Sequence, residues 1–197
     1  MNLKVLGISA SPRVEGSSDL LLRQALAGAA STGASTEYIG LRDFSIAPCD
    51  ESNACYATGK CRIQDDFQIV LQKMFDADRL VFATPVFFMT VCAQAKLLID
   101  RCQCLWAHKY VLKKPLFTTE RDRRAVVIAV GGSKSKKMFE SIHLTMKYWF
   151  DVLEFNYVAD LFVNQIEDPS RIKQHPTALK DAYRLGLELV TAEIPPP

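Results

Sequence analysis

The chain has 197 residues, 49% of them hydrophobic and 23% charged, with a formal net charge of +2. That length suffices for one domain with a substantial core. So even a charge balance gives no electrostatic case for nucleic acid or for an anionic membrane surface. No apolar run is long enough to span a bilayer, and the N-terminus opens a strand at once without a signal-peptide pattern. The expectation is a cytoplasmic protein with no membrane partner.

An apolar strand is predicted from Leu3 to Ile8, and an apolar helix from Leu20 to about Ala30. Between them runs Ser9-Ala10-Ser11-Pro12-Arg13-Val14-Glu15-Gly16-Ser17-Ser18-Asp19, rich in hydroxyls and carrying one arginine. Unpaired N–H groups and the dipole at a helix start favour an anion, and Arg13 adds a two-pronged charged contact. The same stretch also reads as an ordinary serine-rich cap. It has neither a Walker Gly-Lys-Ser/Thr nor a full G-x-G-x-x-G, so a mononucleotide phosphate fits better than ATP or NAD.

Thr36–Leu41 alternates like a second strand. A long irregular stretch follows, from about Arg42 to Gln64, and holds Cys49, Cys55 and Cys61. Asp65-Asp66 opens a helix with the stripe Phe67, Val70, Leu71, Met74 and Phe75. Arg79–Thr84 is a short apolar strand ending at Pro85-Val86-Phe87-Phe88-Met89-Thr90, and a helix with Val91, Ala95, Leu98 and Cys102 on one face comes next. Ala125–Val130 is apolar without alternation, as in a strand covered on both faces, and breaks at Gly131-Gly132-Ser133. Met138 to Phe150 marks a further helix and Leu153 to Val163 a last strand. Asp168-Pro169 caps a final helical region that restarts near Pro176 and ends near Glu193.

Strand and helix thus alternate about five times, which predicts an α/β fold with a parallel sheet and helices on both faces. Ligands in such sheets sit beyond the carboxyl ends of the strands. Three loops lie there. The first suits phosphate, Phe87 and Phe88 in the second suit a flat ring, and Gly131-Gly132 in the third lets backbone approach closely. Together they describe FMN. Singly, Phe87 and Phe88 read equally as core or subunit contacts, and the glycine pair as a turn.

Ser11-Pro12-Arg13-x-x-Gly16-Ser17-Ser18 resembles the S-P-R-x-x-G-N-T loop of iron-sulfur flavoproteins and the wider NADPH-dependent FMN reductase family. Thr84-Pro85-Val86-Phe87-Phe88 with Ala95 to Arg101 resembles that group's P-V-Y-F…L-K-x-x-I-D-R block, and the cysteine loop before Asp65-Asp66 resembles its compact cysteine region. The resemblance implies a flavodoxin-like three-layer sandwich with a five-stranded parallel sheet, one FMN-binding domain over 1–197 with an insertion loop at about 42–64. Ser11, Arg13, Ser17 and Ser18 would hold the phosphate with Ser9 nearby, and Pro85, Val86, Phe87 and Phe88 would border the ring, with Gly131 and Gly132 close. It further implies NAD(P)H as co-substrate, a small-molecule or protein electron acceptor, and a homodimer or homotetramer. No side chain is nominated as a catalytic acid or base.

Cys49, Cys55 and Cys61 match the first, third and fourth cysteines of the compact region, but Ser52 stands at the second. An iron-sulfur cluster with four irons needs four thiolates. Three readings stay open: a cluster with another fourth ligand or only three irons, zinc on three cysteines plus water or carboxylate, or no metal and a lid in which Tyr56 and Lys60 shape a substrate pocket. Cys102 reads as a buried small hydrophobe, and Cys92 and Cys104 form no C-x-x-C with it. The basic run Lys134, Lys136 and Lys137 is either a solvated face or an attractor of the NADPH 2′-phosphate.

Overall fold

The computed structural model describes residues 2–192. Its strands are β1 (Lys4–Ser9), β2 (Ser35–Gly40), β3 (Arg79–Phe87), β4 (Thr90–Val91), β5 (Arg124–Val130) and β6 (Asn156–Val163). Its α-helices are α1 (Ser17–Ala30), α2 (Cys55–Thr58), α3 (Phe67–Asp76), α4 (Ala93–Arg101), α5 (Gln103–Trp106), α6 (Glu140–Val152), α7 (Pro169–Gln174) and α8 (Ala178–Thr191). Five strands pair in parallel in the order β2-β1-β3-β5-β6, and β4 adds antiparallel to β3. This is the flavodoxin-like order, whose direction reverses beside β1 and so opens a crevice between the carboxyl ends of β1 and β3.

Apolar residues fill both faces of the sheet. Leu6, Ile8, Phe82 and Val127 pack on one side with Val70, Met74, Leu98, Ile142 and Phe150 from α3, α4 and α6. Val5, Val81, Ile128 and Val130 pack on the other with Leu21, Leu22, Ala25 and Leu185 from α1 and α8. Every residue of β5 is buried, which explains its unbroken apolar run. On the second face α1 and α8 touch backbone to backbone. A Cβ at Gly28 would lie 1.9 Å from the Tyr183 carbonyl oxygen, and one at Gly186 would lie 1.8 Å from that of Ala25.

Several boundaries differ from expectation. α1 begins at Ser17 rather than Leu20, because Gly16 is extended and serves as its N-cap. β3 runs past Thr84 to Phe87 and folds back through a two-residue turn, pairing Phe87 with Thr90 and Val86 with Val91. Phe88 and Met89 both have positive φ, 49° and 65°. That is the handedness of the tight hairpin turn usually made by Asn-Gly, so these two residues gave no turn signal. The last strand starts at Asn156, since Glu154 takes a positive φ of 56° just before it. α8 ends at Thr191; the expected end near Glu193 and the prolines Pro195–Pro197 lie outside the described residues.

Candidate functional site

The turn between β1 and α1 is built to leave donors free. Gly16 has no side chain with which to cap α1, and the first intrahelical bond is made by Leu20 N to Gly16 O at 2.9 Å. The N–H groups of Ser17 and Ser18 therefore have no helical partner and face outward. Ser11 folds its own turn, donating to Arg13 O at 3.0 Å and accepting from Arg13 N at 3.1 Å. A Cβ at Gly16 would meet Ser11 Oγ at 2.8 Å, so only glycine lets this turn close.

Ser11, Arg13, Ser17 and Ser18 line a cavity of about 300 Å³ together with Pro85, Val86, Phe87, Gly131 and Gly132. The turn thus faces the end of β3 and the glycine pair across one crevice. Val130, Ile166 and Glu167 complete the lining and had no signal in the sequence, because they reach it through strand register and the β6–α7 loop. Two expected residues stand outside this lining. Phe88 sits at the hairpin tip, fully exposed at 102%, because its positive φ turns it away from the crevice. Ser9 is wholly buried at the end of β1, and its Oγ has no hydrogen-bond partner.

Asp19 also escaped the sequence reading. It is completely buried beneath the turn. Its carboxylate accepts from Tyr38 Oη, from Arg23 Nε at 3.2 Å and from the backbone N of Glu15 at 3.2 Å. Arg42 extends the network, donating to Tyr38 Oη at 2.9 Å and to Ser11 O at 3.4 Å. Burial pushes Asp19 up, but the Tyr38 and Arg23 hydrogen bonds outweigh it and hold the carboxyl below its ordinary value. Through Glu15 N and Ser11 O the network fixes both halves of the turn to β2.

The cysteine loop is clamped at its two ends by one guanidinium. Arg101 donates to Ala47 O at 3.0 Å, to Ile63 O at 3.0 Å and to Asp65 Oδ2 at 2.6 Å. Asp65 also accepts from Ala47 N at 2.9 Å and from Phe67 N at 3.0 Å, so the first of the two aspartates ties the loop to the start of α3. Between the clamped ends, Cys49, Cys55 and Cys61 share a second cavity, of about 90 Å³, with Ser52, Arg62 and Arg101. A fourth thiol lines it from α5, that of Cys104. Among the described residues no three His, Cys, Asp or Glu stand close enough to hold one metal ion. That does not suit the zinc reading of three cysteines on a single ion.

An uncapped helix start facing an apolar strand end, at the reversal point of a doubly wound parallel sheet, defines a protein of flavodoxin-like fold. Residues 3–166 match the family described as NADPH-dependent FMN reductase, and the chain belongs to that family of oxidoreductases. An iron-sulfur flavoprotein of Methanocaldococcus jannaschii is 47% identical over 103 residues, which cover 52% of this chain and 53% of that one. The chain thus spans about half of that relative. An iron-sulfur flavoprotein of Methanosarcina thermophila is 31% identical over 144 residues, 72% of this chain and 71% of that one. Among solved structures, an NAD(P)H:quinone oxidoreductase from Methanothermobacter marburgensis superposes with a TM-score of 0.76 at 18% identity, covering 98% of this chain and 99% of the other. Likeness at that identity carries the fold alone.

Proposed function

We propose that the chain is an FMN-dependent oxidoreductase that takes electrons from NAD(P)H and passes them to a quinone, a free flavin or a similar small acceptor. One observation carries this reading. The uncapped start of α1 and the apolar end of β3 border a single cavity, so an anion and a flat ring can be held by one molecule. The Ser17 and Ser18 N–H groups, the Ser hydroxyls and Arg13 hold the phosphate. Pro85, Val86 and Phe87 border the ring, and Gly131 and Gly132 let the backbone come close to it. FMN, when bound, supplies the hydride and electron chemistry. The side chains position it and shield it from water.

About 300 Å³ lies at the low end of the range for organic ligands, so the ring extends past the cavity toward the hairpin. Exposed Phe88 and Met89 there suit a subunit contact, and the reading is a homodimer or homotetramer. Among the described residues no helix is long and apolar enough to cross a membrane, in keeping with a cytoplasmic setting. The test is titration of apoprotein with FMN, followed by NADPH oxidation with a quinone. Absence of FMN affinity sinks the proposal.

A second reading has a specific observation behind it. The pocket shared by cysteines suits an iron-sulfur flavoprotein acting as an electron carrier to or from a protein partner. Iron and acid-labile sulfide in anaerobically purified protein, with slow NADPH turnover, favour it over the enzyme.

A further inference from the structure

We propose that Cys104, from outside the cysteine loop, supplies the fourth thiolate of an iron-sulfur cluster whose other three ligands are Cys49, Cys55 and Cys61, with Arg101 as its buried counter-charge. The inference rests on the second reading above.

Four observations carry it. First, Cys104 is the one thiol besides those of the loop that lines this cavity; Cys92 and Cys102 are buried elsewhere. Second, Ser52 is otherwise engaged. Its Oγ accepts from Arg62 Nε at 3.0 Å, and Arg62 is held in turn by Asp50. A serine hydroxyl resists losing its proton far more than a thiol does, so Ser52 is a poor fourth ligand although it lines the same cavity. Third, the cavity holds about 90 Å³, far below an organic ligand site, which suits a compact inorganic group. The thiols do not converge on one ion. A cubane spreads its thiolates over four irons, so its ligands stand farther apart than those of zinc.

Fourth, the wall carries one buried N–H donor without a partner. The Arg101 side chain is fully buried and lines the cavity, yet its Nε has no hydrogen-bond partner. A buried donor of this kind costs free energy unless an acceptor meets it. A cluster on four thiolates is anionic, and its sulfurs are acceptors. The Cys104 Sγ donates to Arg101 O at 3.4 Å. Each thiol releases one proton to solvent as its sulfur binds iron, and no electron moves in that ligation.

The test uses the full chain, purified anaerobically with FMN and supplied with sulfide and equal amounts of ferrous and ferric iron, which together give a core of two ferrous and two ferric ions without a further oxidant. The expected result is about four irons and four sulfides per chain, with an EPR signal on reduction. Cys104→Ala should lose the four-iron signal and hold about three irons or fewer, with FMN content unchanged. Cys104→Ser, nearly the same size, covers any loss of folding in the alanine variant. Cys102→Ala should behave as wild type. Ser52→Cys placed with Cys104→Ala should restore four irons, because it returns a thiol to the loop. A full cluster in both Cys104 variants overturns the proposal, as does loss of the cluster in Ser52→Ala. Wild-type protein that binds FMN but neither iron nor sulfide overturns the cluster reading itself and leaves the flavin function standing.

Discussion

Arg101 on α4 and Asp65 at the foot of α3 form an ion pair of 2.6 Å, with the arginine side chain fully buried and the aspartate 14% exposed. The same guanidinium bonds the carbonyls of Ala47 and Ile63, so one side chain closes the whole cysteine loop. Arg101→Met removes the charge but keeps the bulk, and takes from Asp65 its charged partner and from the Ala47 and Ile63 carbonyls their side-chain donor. Urea unfolding should show a loss of about 3 kcal/mol.

The same pair sets a pH dependence. Burial pushes Asp65 up, but the Arg101 bond and charge more than offset it, so the folded value lies below the ordinary one. Its contribution is complete above the unfolded value of about 3.9 and is lost as pH falls through the lowered folded value. Wild type should therefore lose stability between pH 5 and pH 3 more steeply than Arg101→Met. Parallel curves for the two proteins refute this account.

Arg13 and Gly16 report on the phosphate end of the cofactor. Arg13→Ala should weaken FMN binding by about tenfold to a hundredfold, the worth of a hydrogen bond to a charged group. Riboflavin, which has no phosphate, should bind both proteins alike. Gly16→Ala drives a methyl to 2.8 Å from Ser11 Oγ and should weaken FMN by at least as much. Fluorescence quenching measures all three, and an equal loss for riboflavin in Arg13→Ala is the adverse outcome.

Asp19 acts on the cofactor only through the turn. In Asp19→Asn one of the two acceptor oxygens becomes an NH2 group, which faces either the Tyr38 hydroxyl or the Arg23 and Glu15 N–H donors, and the charge opposite Arg23 is lost. FMN affinity should fall about tenfold, equivalent to 1.4 kcal/mol. Tyr38→Phe should fall in the same direction by less. Unchanged affinity in a folded Asp19→Asn protein would remove Asp19 from the site's architecture.

The hairpin tip bears on assembly. Phe88→Asn with Met89→Gly suits the positive φ of both positions and strips the exposed apolar tip. Sedimentation should show the variant shifted toward monomer. An unchanged mass places the subunit contact elsewhere.

Much of this was legible because the signals were local. The apolar run Ala125–Val130 announced a strand buried on both faces, and the hydroxyl-rich turn before α1 marked one wall of the cavity. The block from Thr84 to Phe87 fell at the same edge. What escaped depended on distance in the chain. Asp19 looked like any first-turn acid, since nothing local says that Tyr38 and Arg42 close over it. Cys104 looked like a spare cysteine beside Cys102, and only the packing of α5 against the loop brings it to the other three. The hairpin at Phe88 and Met89 was not legible because bulky residues in a tight turn carry no turn signature.

The close approach of α1 and α8, with Gly28 against Tyr183 and Gly186 against Ala25, couples two helices far apart in the chain. Either glycine replaced by alanine should cost about 3 kcal/mol, since backbone stands where the methyl must go. The helix beside the turn and its bracing partner α8 are separated in the chain by all of α2 to α7. That wall of the crevice is therefore synthesised well before the helix that holds it in place, and a chain truncated before Ala178 should retain FMN poorly.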